Sequence, residues 1–485
     1  MSDVRSRLEA VFTLNSGSIG GEWVPSESGR TAEVRNPATG EVIATTPMMT
    51  AADVDRAVDV AQEAFLEWRK TSAKERSVLL RRWRDLLEEH VETLARILTL
   101  EQGKPLQEAR NETLQSVAYI EFFAEECRRL YGETIPANTR DRRLLVQREP
   151  LGVVGVISPW NFPSAMIGRK AGAALAAGCT VVAKPAAETP LSALALAILA
   201  EEAGIPAGVF NVVTGSGGEL GAAFTANPLV RKISFTGSTA VGKRLARESA
   251  DTLKHLSLEL GGSAPFIVFD DADIERAVAG VLASKFRNAG QTCVATNRIF
   301  VQRGVADEFA RRFAEEVGRL RVGAGIEDGT QIGPLINEGA ANQVSGMIER
   351  AREQGAEIVV GGDARAGAFV QPTVVLGVSD DMDLVNHEIF GPVAPISIFD
   401  TEEEVIARAN STVYGLSAYF YTNDYRRIVR VGEALEFGMV GVNESLTTTE
   451  VAPFGGVKDS GYGREGSHFG LEEYTQIKYL CIGGL

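Results

Sequence analysis

Cys293, Glu259, Asn161 and Lys184 are the side chains whose type and local setting could do chemistry. Cys293 lies in Gly290-Gln291-Thr292-Cys293-Val294, after a segment 277–288 that reads as a helix ending at an Asn288-Ala289-Gly290 break. A thiol on a Gly-containing turn can face a cleft and be kept partly ionised by backbone N–H dipoles, whereas one packed among apolar groups is inert. Glu259 stands between leucines in Leu258-Glu259-Leu260-Gly261-Gly262. Apolar company raises a carboxyl pKa, as a base that activates water requires, although a partnered structural glutamate would look the same. In Ser158-Pro159-Trp160-Asn161-Phe162-Pro163, Pro163 suits a first helical position. That leaves Asn161 just outside the helix, either as a turn residue or with its amide free to hold an oxyanion in a cleft.

Lys184 closes an apolar run 180–183 and precedes Pro185. A strand's C-terminal edge is where open α/β sheets bind ligands, and an ammonium there can meet ribose hydroxyls or a 2′-phosphate. Two glycine-rich turns, 214–221 and 235–242, could each seat a pyrophosphate on a helix N-terminus. Neither has the GxGxxG spacing with an acid about twenty residues on, so the common dinucleotide fingerprint is absent.

The elements that must position these groups follow from periodicity. Residues 18–50 read as short strands and turns, and 51–68, 72–102 and 106–131 as amphipathic helices. From residue 145, short apolar runs alternate with helical segments, the pattern of a parallel, doubly wound sheet. A second alternating region begins near Pro265 and predicts a second α/β domain. Strand-like segments at 144–146 and 471–481 fall outside both patterns and could pair with another subunit.

Composition narrows the classes. A chain of 485 residues is long enough for two or three domains. A net charge of −15 disfavours nucleic acid and anionic membranes, and any anionic substrate would need local cations. The four cysteines lack CxxC spacing, which gives neither a disulfide framework nor a zinc site and suits a reducing cytoplasm. No apolar run is long enough to span a bilayer, so a soluble cytoplasmic protein is expected.

Taken together the stretches resemble the aldehyde dehydrogenase superfamily along nearly the whole chain. The likeness rests on Pro159-Trp160-Asn161-Phe162-Pro163, Lys184-Pro185, Phe235-Thr236-Gly237-Ser238-Thr239, Leu258-Glu259-Leu260-Gly261-Gly262, Gly290-Gln291-Thr292-Cys293, Glu388-Ile389-Phe390-Gly391-Pro392 and Pro453-Phe454-Gly455-Gly456. The resemblance implies that Cys293 attacks an aldehyde carbon, that Asn161 and the Cys293 N–H hold the oxyanion, and that Glu259 activates the water that hydrolyses a thioester. It assigns Trp160, Lys184, Ala187, Gly237, Ser238, Gly261, Glu388 and Phe390 to an NAD or NADP site. Gly237 and Ser238 would lie by the pyrophosphate, so the second glycine turn is preferred.

Within the superfamily the chain is similar to succinate-semialdehyde dehydrogenases. Arg169, two turns beyond Asn161, and Arg287, just before the Cys293 loop, would clamp a substrate carboxylate with Thr448 and Thr449. A four-carbon semialdehyde is the first choice and glutarate semialdehyde or a broader aldehyde range the next. NAD-preferring relatives often carry Glu where this chain has Ala187, so NADP is expected to be accepted and is the candidate for the preferred cofactor over NAD. Ala295 replaces a second cysteine found in several relatives, which removes a local redox disulfide.

The implied division is a Rossmann-like cofactor domain (1–127 and 149–260), a catalytic domain (261–442), a small β oligomerisation arm (128–148 and 471–485) and a returning segment (443–470). A homodimer or homotetramer is expected. The competing classes are a cysteine hydrolase, for which His387 is the available partner, a non-catalytic scaffold, and a CoA-acylating enzyme.

Overall fold

Val153–Ile157 is apolar at every position because both of its faces are covered. Val154 and Val156 point into a core shared with Trp83, Leu175 and Leu196, while Val153 and Ile157 point the other way, against Val54, Leu220 and Phe224. The strand is central in an eight-stranded sheet of a computed structural model that describes residues 4–363 and 366–485. From one edge the order is Gly461–Tyr462, His255–Glu259, Val230–Thr236, Val153–Ile157, Thr180–Lys184, Phe210–Val212, Gly17–Ile19 and Glu22–Val24.

The five strands from His255–Glu259 to Phe210–Val212 run parallel. The chain winds outward from Val153–Ile157 to Phe210–Val212, then returns to place Val230–Thr236 on the other flank. That reversal opens a crevice at the strand C-termini, where ligands bind in such sheets. Register aligns Ile157 with Phe235 and with Lys184, and Thr236 with Glu259, so the residues following these strands line one edge.

Helices cover the sheet. Thr50 and Asp53 close a capping box on Ala51–Trp68, and Ser72 and Glu75 close another on Ala73–Glu89. The single helix expected over 72–102 is two, Ala73–Glu89 and Val91–Gln102. His90 (φ −104°, ψ 18°) breaks the helical path, which lets Trp83, Leu87, Leu94 and Ile97 meet one core.

Glu259 leads through Gly261 and Gly262 into Ala264–Val268, which starts a seven-stranded sheet with Thr296–Gln302 beside it. Thr373–Leu376, Met439–Val442 and Gly461–Tyr462 are strands that sequence reading did not assign, being too short to show a period. A three-stranded antiparallel sheet pairs Arg143–Pro150 with Glu133–Ile135 and Thr475–Ile482, Leu145 opposite Leu480. Its edge strand exposes Ile477, Tyr479 and Ile482. Among the described residues no helix is long and apolar enough to cross a membrane, and no group of three or more His, Cys, Asp or Glu is arranged to hold a metal.

Candidate active site

The loop carrying Cys293 is set by left-handed backbone. The preceding helix runs Ile274–Phe286, shorter at its end than the expected 277–288, because Asn288 (φ 52°) and Ala289 (φ 54°) leave the helical region. Gly290 continues the turn at φ 76°, and a β-carbon there would lie 2.2 Å from the Gly391 carbonyl oxygen. Gln291 locks the loop: its Nε2 donates to the Asn288 carbonyl (3.0 Å) and its Oε1 accepts from Ile336 N–H (2.9 Å). On the far side of the nucleophile, Tyr419 Oη donates to the Val294 carbonyl (2.9 Å).

Cys293 is the residue shared by two cavities. One is lined by Phe162, Met166, Arg169, Arg287, Thr448 and Phe454. The other, of 250 Å³, is lined by Trp160, Asn161, Gly237, Ser238, Gly261, Glu388 and Phe390. A thiol at such a junction can meet a substrate from one side and a cofactor from the other.

The thiol is not poised as an anion. Burial and the Glu388 carboxylate push its pKa up to about 12, with Arg169 pulling the other way. This corrects the expectation of a partly ionised cysteine: desolvation outweighs the loop's N–H dipoles, and deprotonation calls for a base. Glu259 is fully buried, and neither carboxylate oxygen has a hydrogen-bond partner among the described residues. Burial first and the nearby Glu465 carboxylate second raise it well above the ordinary carboxyl range, against Lys170 and Arg169.

Asn161 is oriented from both ends. Its Nδ2 donates to the Gln291 carbonyl (2.9 Å), so the amide is not wholly free as expected, although its second hydrogen remains. Its backbone carbonyl accepts from Lys104 Nζ (2.7 Å), and Lys104 forms a fully buried ion pair with Glu112 (2.6 Å). Glu112 also accepts from Ser164 N–H (2.9 Å) and Ala165 N–H (3.2 Å), capping helix Pro163–Ala177.

Both arginines reach the Cys293 cavity. Arg287 lies over the Phe162 ring (5.2 Å to the centroid) and makes no ion pair or hydrogen bond among the described residues. Arg169 is buried, and its Nη1 approaches Glu465 Oε2 at 3.1 Å without hydrogen-bond alignment. Its Nε likewise has no hydrogen-bond partner. Thr448 lines the same cavity, but Thr449 does not: its hydroxyl donates to Glu450 (3.2 Å) and it lines an outer vestibule of 340 Å³. Thr448 also lines that vestibule, so it stands between the two spaces while Thr449 meets the outer one alone.

On the opposite side, Glu388 Oε1 accepts from Gly262 N–H (3.1 Å), and a β-carbon on Gly261 would lie 2.8 Å from Oε2. Burial pushes Glu388 up to about 7, with the Gly262 N–H and Lys285 pulling down. The Trp160 and Phe390 rings meet edge to face at 5.4 Å. Ser238 precedes helix Thr239–Ser249 without a capping bond from its side chain, and Thr236 Oγ1 is buried without a partner. Lys184 is buried, forms no hydrogen bond from its ammonium and no ion pair among the described residues, and is lowered to about 8 by burial against the pull of Glu188. Ala187 is half-buried beside exposed Glu188. An ammonium buried without a partner among the described residues, a helix N-terminus left open and a mostly apolar cavity edged by Trp160 and Phe390 fit a nicotinamide dinucleotide.

Sequence reading did not single out Glu465, Lys104, Glu112 or Gln291. Lys170 and Glu465 form a buried ion pair across 295 positions, and no local pattern marks such a partner. His387 is 67% exposed and faces Asp383 at 3.9 Å, so it does not supply the thiol's base that a cysteine hydrolase needs.

A parallel sheet with a ligand crevice, joined through two glycines to a second α/β unit that presents a half-buried cysteine, defines a nucleotide-dependent enzyme of covalent catalysis. Residues 23–480 match the aldehyde dehydrogenase family, and the chain belongs to it. It is 55% identical over 467 residues to the succinate-semialdehyde dehydrogenase [NADP(+)] of Escherichia coli, covering 96% of this chain and 97% of that protein. A glutarate-semialdehyde dehydrogenase of Pseudomonas putida is 55% identical over 464 residues, with 96% and 97% covered. The crystal structure of an NADP-dependent enzyme from E. coli superposes with a TM-score of 0.97 at 53% identity, covering 98% of this chain and 99% of that one.

Proposed function

We propose that this protein oxidises succinate semialdehyde to succinate with NADP or NAD. The observation that carries the substrate reading is the pair Arg169 and Arg287 at the cavity of Cys293, one with unsatisfied N–H groups and the other without an ion pair among the described residues. Guanidinium groups so placed suit a carboxylate at the far end of a short aldehyde, within a chain whose net charge is −15. Thr448 adds a hydroxyl to that end. The names of the E. coli and P. putida relatives agree with a carboxylated semialdehyde, and glutarate semialdehyde is the second choice.

In this reading the Cys293 thiol gives its proton to Glu259 as sulfur bonds to the aldehyde carbon. Asn161 Nδ2 and the Cys293 N–H stabilise the oxyanion. A bound nicotinamide dinucleotide supplies the acceptor for the hydride that leaves this carbon. Glu259 releases the thiol's proton to solvent and then takes one from water whose oxygen attacks the Cys293 thioester; the C–S bond breaks, Glu259 returns its proton to the departing thiolate, and the product leaves as a carboxylate after losing its own proton to solvent. Retention of Glu259 favours hydrolysis over transfer to CoA. Glu388 and Phe390 hold the nicotinamide riboside, Trp160, Gly237, Ser238 and Gly261 line its approach, and Lys184 beside Ala187 accepts a 2′-phosphate, consistent with the E. coli relative's NADP(+) designation.

The domain division given above is the working organisation, and the exposed apolar edge strand Thr475–Ile482 is read as a contact with another subunit of a homodimer or homotetramer. Unpaired cysteines suit a cytoplasmic enzyme. The test is NADPH formation with succinate semialdehyde against butanal, which lacks the carboxylate. A kcat/KM advantage of orders of magnitude for the carboxylated aldehyde is expected, since each charged hydrogen bond is worth about 1.5–3 kcal/mol. Equal values would overturn the two-arginine reading.

A further inference from the structure

Tyr119 is fully buried on helix Leu106–Glu126, outside the lining of either Cys293 cavity, yet it touches two groups that serve one of them. Its ring centroid is 5.0 Å from the Arg169 guanidinium carbon, and the Phe454 centroid is 4.6 Å from the same atom. Its hydroxyl donates to the Thr449 carbonyl at 3.2 Å. Thr449 follows Thr448, whose side chain lines the cavity. The ring also packs on the returning segment, where a β-carbon on Gly466 would lie 3.2 Å from its Cε1.

An aromatic face attracts a guanidinium without using its N–H groups, in contrast to a carboxylate partner, which takes them. Arg169 matches this: among the described residues Nη2 hydrogen-bonds only to the Met166 sulfur (3.4 Å), and Nε has no hydrogen-bond partner. Its orientation is therefore set largely by rings and by the misaligned Glu465 contact, which leaves N–H edges for a ligand. Among the described residues the Tyr119 hydroxyl is the one polar tie from this helix to the backbone beside Thr448.

We propose that Tyr119 is a positioning residue for recognition of the substrate carboxylate, aligning Arg169 through its ring and Thr448 through its bond to the Thr449 carbonyl. This rests on the two-arginine reading above. The two contacts separate by substitution: Tyr119→Phe keeps the ring and removes the tie, whereas Tyr119→Leu removes both.

The experiment measures the ratio of kcat/KM for succinate semialdehyde over butanal in the full-length enzyme, Tyr119→Phe, Tyr119→Leu and Arg169→Gln. Tyr119→Phe is expected to lower the ratio about three- to tenfold, mainly through KM for the carboxylated aldehyde, as one hydrogen bond's loss implies. Tyr119→Leu is expected to lower it about tenfold or more, with the ring in Tyr119→Phe preserving the difference. A ratio kept in both Tyr119 variants but lost in Arg169→Gln would overturn this proposal alone. Parallel falls for both aldehydes at constant ratio would mark a structural role and also overturn it. A wild-type ratio near one would overturn the arginine reading beneath it. Tyr119→Phe preserves the packing, so the proposal stays testable if Tyr119→Leu does not fold.

Discussion

A β-carbon on Gly262 would lie 2.2 Å from the Cys293 carbonyl oxygen, so the glycine link between the two sheets is also the floor under the nucleophile. Gly262→Ala must push the Cys293 loop away. Overpacking of this kind costs about 1–3 kcal/mol, and a displacement near 1 Å can cost about a hundredfold in rate. The variant should therefore remain folded with a lowered melting temperature and lose most of kcat. Turnover close to wild type would show that the loop shifts without consequence.

Glu259→Gln removes the base while keeping the shape. Rapid mixing should show slowed thiol attack, or, where attack survives, a burst of NADPH near one per site followed by slow turnover, a loss of about 10²–10⁴ in the affected step. The pH dependence has a definite sign. Burial raises the Glu259 pKa, so at acid pH the carboxyl is protonated and inactive, and the rate rises with pH through a value well above 4.5. A rate flat from about pH 4 to about pH 9 would exclude it as the base.

If Lys184 meets the 2′-phosphate as proposed, nucleotide choice depends on pH. Its pKa is about 8, so the ammonium that meets a 2′-phosphate is lost as pH rises through that value. The Kd ratio of NAD to NADP should fall between about pH 7 and about pH 9, and in Lys184→Met it should be small and flat. Titration by fluorescence quenching measures both, and an unchanging wild-type ratio would assign the preference elsewhere.

Lys104→Met leaves Glu112 buried without its cation and removes the 2.7 Å bond that holds the Asn161 carbonyl. A destabilisation of about 3–5 kcal/mol is expected in urea unfolding, the range for breaking a buried pair. Turnover should drop as well, because the Asn161 amide loses its support. A double variant with Glu112→Leu should recover stability more than rate.

Much of this molecule was legible in local sequence. The apolar run 153–157 announced a strand covered on both faces, the Asn288-Ala289-Gly290 break announced a turn before Cys293, and Leu258 and Leu260 announced a desolvated Glu259. Each depends on backbone preference or burial within a few residues. The partners of those groups were not legible. Lys170 and Glu465 are 295 positions apart, Tyr119 and Thr449 330 apart, and only the packing of helices Leu106–Glu126 and Pro163–Ala177 against the returning segment brings them together. Tertiary structure also decided the outcomes that ran against local expectation. It turned Thr449 away from the cavity, tied the Asn161 amide to Gln291, and buried the Cys293 thiol enough to keep it protonated, because desolvation is summed over every neighbouring element and not over the chain beside it.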